Sequence, residues 1–405
     1  MAEELYGIEY LRRLLARKRD RVLLRYRYYD MKKLVRDFGI STPPVMRGLT
    51  STFGWCAKAV DSLTDRLVLK GFKQDNFAIG EIYEQNNPDI LPTAAIQAAL
   101  IGACSFIYIY QMDDGFPVMQ VIDGSDATGV ADPVTGMLKE GYAVLERNKD
   151  RQVVEEAYFK PGETVYYREG KEDRSYRHNL QYPLLVPVIN RPDATRPLGH
   201  SRISRACMSY VESAIRTAKR SEITAEFYSF PQKWVSGLDP DAERMEKWQA
   251  TMSALLTFSK DDQGDRPTIG QFSQGSMSPH IEQLRMFASL FAGETGLTLD
   301  DIGFPSDNPS SAEAIRAGHE TLRLMARRAQ RDFGTGFLNA GFLAASLRDD
   351  FPYSRRQLYL TKPVWEPIFE PDASQISGIG DAILKIQQAF PDYFTEEKLE
   401  ELTGI

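Results

Sequence analysis

Apolar residues recur at helical spacing early in the chain. Leu11, Leu14, Leu15, Val22 and Tyr26 in "LRRLLARKRDRVLLRYRYYD" predict a basic amphipathic helix over Leu11 to Asp30. Ala59, Val60, Leu63 and Leu67 predict a second from Trp55 to Leu69. A third spans Leu91 to Ala103, with Pro92 in the first turn, where proline is tolerated. The texture then changes. "CSFIYIYQ", "PVMQVID", "YAVLERN" and "VVEEAYFKPGETVYYREG" are short, rich in Val, Ile and Tyr, and punctuated by Gly, Pro and Asp. They predict an antiparallel β region over about residues 104 to 190, with a hairpin turning at Pro161-Gly162.

Helical spacing returns at Ser201 to Glu226, a stretch without proline or glycine. A mixed piece follows to about Ser276, then a helix from Pro279 to Glu294. "GFPSDNPSSAEAIRAGHETLRLMARRAQRDFG" joins a polar loop to a strongly specified helix. Ser310 with Glu313 fits the reciprocal arrangement that caps a helix start, and Pro309 keeps Asn308 extended. Ile315, Leu322, Met325, Ala329 and Phe333 form the expected apolar stripe, with Gly334 a plausible stop and "FLNAGFLAASLRDDF" continuing the helix. "TKPVWEPIFEP" reads as a strand-like stretch, and the chain finishes in two acidic helical pieces without a terminating motif, so its natural C-terminus is expected to lie further on. The class is α+β, mainly α, in several structural regions, and no internal repeat is evident.

Composition narrows the chemistry. At 42% hydrophobic and 26% charged, the 405-residue chain has the make-up of a folded soluble protein. The longest apolar run, Ala94 to Tyr110, contains Gln97 and Gly102, so no membrane partner is expected. The first residues, "MAEELYGIEY", are acidic and unlike a secretory signal, which predicts synthesis in the cytoplasm. The net charge of −7 hides an asymmetry: residues 1 to 36 hold eleven Lys/Arg against five Asp/Glu, and residues 365 to 405 hold two against nine. Opposite potentials at the two ends suit contacts between copies or with a charged partner.

No local motif supports catalysis or a cofactor. The phosphate-loop spacing is absent, and Gly170-Lys171 lacks both the first glycine and the hydroxyl residue. There is no Gly-x-Ser-x-Gly. "KDDQGD" (Lys260 to Asp265) lacks the alternating oxygens and closing glutamate of a calcium loop. Cys56, Cys104 and Cys207 form neither a disulfide framework nor a zinc pattern, and His178, His200, His280 and His319 stand apart. Neither a metal nor a catalytic residue is expected. An enzyme acting on nucleic acid or a small molecule through converged carboxylates remains the alternative from another class.

Five stretches occur in an order that resembles the portal proteins of tailed bacteriophages, specifically the Gp6-like siphophage portals. They are "LRYRYYD" (Leu24 to Asp30), "VINRPDATRPLGHSRIS" (Val188 to Ser204), "AEFYSFPQKWVSG" (Ala225 to Gly237), "ETGLTLDDIGF" (Glu294 to Phe304) and "DNPSSAEAIR" (Asp307 to Arg316). The resemblance implies a ring, usually of twelve copies, at one vertex of the virion capsid. Double-stranded DNA is packaged through it by the terminase large subunit and later ejected. It implies contacts with major capsid and scaffolding proteins and with head-completion adaptors. Another structural head or connector component is the second alternative.

Carried onto this chain, the resemblance makes 1–190 a wing, 191–228 a stem helix entering a clip, 229–276 the clip, and 277–296 the returning stem helix. Residues 297–309 become a tunnel loop, 310–370 a long wing helix with its strand-like segment, and 371–405 a short crown. The expected tunnel-loop residues are Asp300, Asp301, Phe304, Ser306, Asp307 and Asn308, and the motor-facing ones Lys233, Trp234, Lys260, Asp261 and Asp262. A conduit must let a polyanion slide, so an acidic loop suits it better than clustered Lys/Arg. Arg12, Arg13, Arg17, Arg323, Arg327 and Arg331 are expected to meet carboxylates, in part between subunits.

Overall fold

A computed structural model describes residues 5–36, 48, 50–229, 233–236, 268–271, 276–305, 311–369, 373–390 and 393. Helix α1 (Ile8–Tyr29) starts three residues before the expected point. It buries Leu11, Leu15, Val22 and Tyr28, and the two leucines pack with Tyr142, Val144 and Tyr158. Helix α2 (Trp55–Thr64) stops before the expected Leu69 because Leu69–Lys73 leaves as strand β1. That strand pairs antiparallel with β12 (Lys362–Trp365), so long-range pairing overrides local helical periodicity. Helix α3 (Ile79–Glu84) went unpredicted, since six residues carry too little periodicity to read. Helix α4 (Leu91–Gly102) lies where expected.

The β region falls between Cys104 and Ile189, as predicted. Strands β2 (Cys104–Gln111), β3 (Pro117–Ile122) and β9 (Leu185–Ile189) form one antiparallel sheet in the order β3-β2-β9. Strands β4 (Ala127–Ala131), β5 (Leu138–Arg147), β6 (Val153–Lys160), β7 (Glu163–Arg168) and β8 (Lys171–Arg177) follow in sequence as a second. Lys160 faces Glu163 across the Pro161-Gly162 turn, the hairpin read from the sequence.

Two rods come next, α5 (Arg205–Ser229) and α6 (Ser278–Thr295). Between them the described residues include the antiparallel pair β10 (Lys233–Ser236) and β11 (Thr268–Gln271). Helix α7 (Ala312–Gly318) is followed after His319 by α8 (Glu320–Arg348), and α9 (Ala373–Ala389) comes last among the described elements.

Three expectations around α7 and α8 need correction. The cap is Ser311, whose Oγ accepts from the Ala314 N–H at 3.1 Å; Ser310 lies outside the described residues. The single helix is broken at His319, whose ring turns back to the Ile315 carbonyl, 2.8 Å from Nδ1. Gly334 does not stop the helix but sits buried inside α8. A Cβ there would lie 2.7 Å from Pro363 Cγ of β12, so the glycine serves close approach of helix and strand. On the predicted stripe Leu322, Ala329 and Phe333 are buried, Met325 is half-buried, and Ile315 is exposed. From Phe333 onward nearly every α8 residue is buried against β2, β3, β9 and α3. The molecule is α+β and mainly helical, as its pattern indicated.

Candidate functional site

The rods are specified by their own residues. Ser204 precedes α5 and accepts from the Cys207 N–H at 3.2 Å, satisfying one orphan donor of the first turn. At 1.5 Å per residue α5 runs about 37 Å. Pro279 lies in the first turn of α6, and Gly296 ends it in the left-handed conformation, with the Leu297 N–H bonded to the Ala292 carbonyl at 3.1 Å. Three cross-links set the mutual direction. Ser204 Oγ donates to Glu294 at 2.7 Å, Thr217 Oγ1 donates to Gln283 at 3.1 Å, and Thr224 Oγ1 lies 3.2 Å from His280 Nε2. As one partner's number rises the other's falls, so the rods are antiparallel. The burial of α6 is concentrated toward its C-terminal end: Ala288, Phe291 and Ala292 are covered, whereas Ile281, Met286 and Leu290 are 60%, 49% and 45% exposed.

Arg202 fastens the rods to the body. Its guanidinium donates to the Ala59 carbonyl of α2 and, at 2.8 Å, to the Thr295 carbonyl at the end of α6, and it reaches Met325 Sδ of α8 at 3.6 Å. Burial pushes this guanidinium down to about 10, so it stays charged at neutral pH, opposite the negative end of α6. Just upstream, Asp193 accepts from the Thr195 and Arg196 N–H groups at 2.9 and 2.7 Å and lies 2.6 Å from His200 Nε2. The hydrogen bond with His200 and those from Thr195 and Arg196 hold its carboxyl well below the usual range. Gly199 closes that loop at φ 75°, where a Cβ would lie 2.2 Å from the Asn190 carbonyl oxygen.

Past α6 the chain makes a built turn. Leu297 and Ile302 are buried, and Asp300–Ile302 forms one turn of 3₁₀ helix. Asp301 accepts from the Thr298 N–H and hydroxyl, both at 2.9 Å, and lies 3.2 Å from His319 Nε2. Burial opposes its charge, yet the bonds from Thr298 and the pairing with His319 hold the carboxyl below its ordinary value. Asp300 is exposed, and Phe304 is half-buried against the core. Thus Asp300, Asp301 and Phe304 come together on one turn, while Ser306, Asp307 and Asn308 lie outside the described residues. Trp234 faces Gly270 across β10 and β11, and a Cβ on that glycine would meet the indole at 2.3 Å. Lys233 lies in the same strand; Lys260, Asp261 and Asp262 are outside the described residues.

The six arginines divide. Arg12 pairs within its own chain, with Glu9 and Glu156, and its guanidinium lies 5.5 Å from the Tyr167 ring centre. Arg13 and Arg17 are exposed. Arg323 clasps Glu320 with two bonds of 2.7 and 2.6 Å. Arg327 and Arg331 are exposed on the same helix. Arg323 and Arg327 line a groove of about 960 Å³ between α7, α8 and residues 365–369. Arg202 and the Asp301–His319 contact were not singled out from sequence. Neither has a local signal, because their partners lie on other elements.

All three cysteines are buried, and burial pushes their thiols up, away from nucleophilic character. Among the described residues no three His, Cys, Asp or Glu side chains converge to hold a metal ion. No described helix is long and apolar enough to cross a membrane.

Against known proteins, the chain is 26% identical over 330 residues to the portal protein of Mycobacterium phage L5, covering 76% of this chain and 67% of that protein. It is 25% identical over 397 residues to the portal protein of Mycobacterium phage D29, covering 90% and 80%. The chain is similar to phage portal proteins. The portal resemblance read from the sequence is thereby borne out, and it extends over most of the chain. No protein-family model matches the chain. Among solved structures it is similar to a chain of the virion of a native gene transfer agent particle, with TM-score 0.47, 13% identity and coverage of 87% and 89%. It is also similar to a chain of the neck of the empty particle, computed with C6 symmetry, with TM-score 0.49, 13% identity and coverage of 87% and 90%.

Proposed function

We propose that this chain is the portal of a tailed phage, a non-enzymatic conduit for double-stranded DNA at one vertex of the capsid. The carrying observation is the pair α5 and α6, two antiparallel rods joined through Thr217–Gln283 and Thr224–His280 and anchored at one end by Arg202. Many copies set side by side place such pairs around an axis, and the exposed Ile281, Met286 and Leu290 offer the apolar surface that neighbours would cover. In this reading residues 229–276, which include Trp234 and Lys233, face the terminase large subunit during packaging and the head-completion adaptors afterwards. The turn holding Asp300, Asp301 and Phe304 stands at the narrow part of the channel, with acid where a sliding polyanion must not be gripped.

An enzyme using converged carboxylates is less favoured, because several inward-facing carboxylates hold structural bonds: Asp123 with Tyr26, Glu212 with Tyr28, Glu140 with Tyr158. Electron microscopy of the purified chain tests the reading. A ring with an axial hole wide enough for duplex DNA is expected. A chain that stays monomeric at every concentration and cleaves DNA with a divalent metal would overturn it.

A further inference from the structure

The groove along α7 and α8 is built for an acidic, partly apolar segment. Arg66, Arg323 and Arg327 line it against two glutamates, Glu320 and Glu366, so arginines outnumber carboxylates on its wall. The Arg66 guanidinium stacks 5.1 Å from the Phe369 ring centre, and Arg323 is already oriented by its two bonds to Glu320. Ile315, half exposed, adds an apolar edge. Pro367, Ile368 and Phe369 make part of the lining aromatic and aliphatic, which suits a peptide segment carrying apolar side chains better than a free anion.

We propose that this groove receives the acidic C-terminal segment of a second copy of the chain, Asp392 to Glu401. The inference rests on the portal reading. Residues 391–405 hold Asp392, Glu396, Glu397, Glu400 and Glu401 against the single Lys398, interleaved with Phe394, Leu399 and Leu402. That is the charge and apolar content the groove lacks. To reach the groove of its own chain the segment would have to double back along the last helix. The chain leaves the groove at Phe369 and then runs through α9, whose 17 residues cover about 25 Å before the acidic stretch begins. In a head-to-tail ring every groove has a neighbour's tail available, so one kind of contact repeats around the circle.

The test is a full-length chain carrying Arg327→Cys and Glu400→Cys, treated with a mild oxidant and run on a non-reducing gel. Cys56, Cys104 and Cys207 are buried, so the unaltered chain provides a clean background. The expected result is a ladder of covalent dimers and higher multimers. A disulfide confined within each chain, or unchanged free thiols, overturns the proposal. A second experiment compares Arg323→Glu with Arg327→Glu, Glu400→Lys with Glu401→Lys, and all four together. Each reversed pair should lower ring yield about fivefold at low salt, the scale of a few exposed ion pairs, and the four together should restore it. Reversed pairs that leave the yield unchanged, or a quadruple variant no better than either pair, count against it. Rings without intermolecular cross-links sink this inference and spare the portal reading; a chain that never forms rings sinks both.

Discussion

The body of the molecule and its rods solve the burial problem differently. In the body, Phe106, Phe159, Phe333 and Phe337 are fully covered by their own chain, and Tyr83 within it donates its hydroxyl to the Phe337 carbonyl at 2.8 Å. In α6 the covered residues cluster toward one end, and Ile281, Met286 and Leu290 stay in solvent. The body is closed upon itself. The rods leave apolar surface uncovered, which in the proposed ring a neighbouring copy would cover. Exposed apolar surface on an extended element marks where association is to be expected, whereas Arg12 and Arg323 already pair with carboxylates of their own chain.

Phe337→Ala attacks the closed region and should have the largest effect, about 3–5 kcal/mol of lost stability in a denaturant titration, as for other buried aromatics. Arg202→Met strikes the join. It leaves the Thr295 and Ala59 carbonyls without their donor and should cost about 1–3 kcal/mol. Faster amide exchange at the end of α6 is expected, with the β sheets unchanged.

Asp301→Asn sharpens the contrast at the turn. The native carboxyl titrates below its unfolded value of about 3.9. Its stabilisation is therefore fully present above that pH and is lost as pH falls through the lower folded value. Amide exchange across Leu299 to Phe304 should quicken on acidification in the native chain and lose that dependence in the variant. Ile281→Ser with Leu290→Ser should change the stability of a lone chain least, within about 0.5 kcal/mol for exposed positions. Ring yield in electron micrographs should nevertheless collapse.

Much of this was readable in the sequence. The β region, the hairpin at Pro161-Gly162, α4 and both rods follow from alternation, turn residues and helical spacing, which are local properties. What failed depended on distant partners. Leu69 continued an apolar helical pattern, yet its pairing with Trp365 made it a strand residue. Gly334 had the character of a helix stop, but the proximity of Pro363 gives it another purpose. The cap shifted from Ser310 to Ser311, a one-residue ambiguity inherent in a double serine. Of the expected tunnel residues, Asp301 is engaged with Thr298 and His319, contacts that no spacing rule could foresee.

The pairing of β1 with β12 also governs how the chain is made. Leu69 emerges from the ribosome nearly three hundred residues ahead of its partner Trp365, so β1 waits as an unpaired edge through most of synthesis. Closing so long a span is slow, because its entropy must be met before any contact rewards it. Nascent chains halted before Lys362 would therefore present a sticky edge until this late stitch closes.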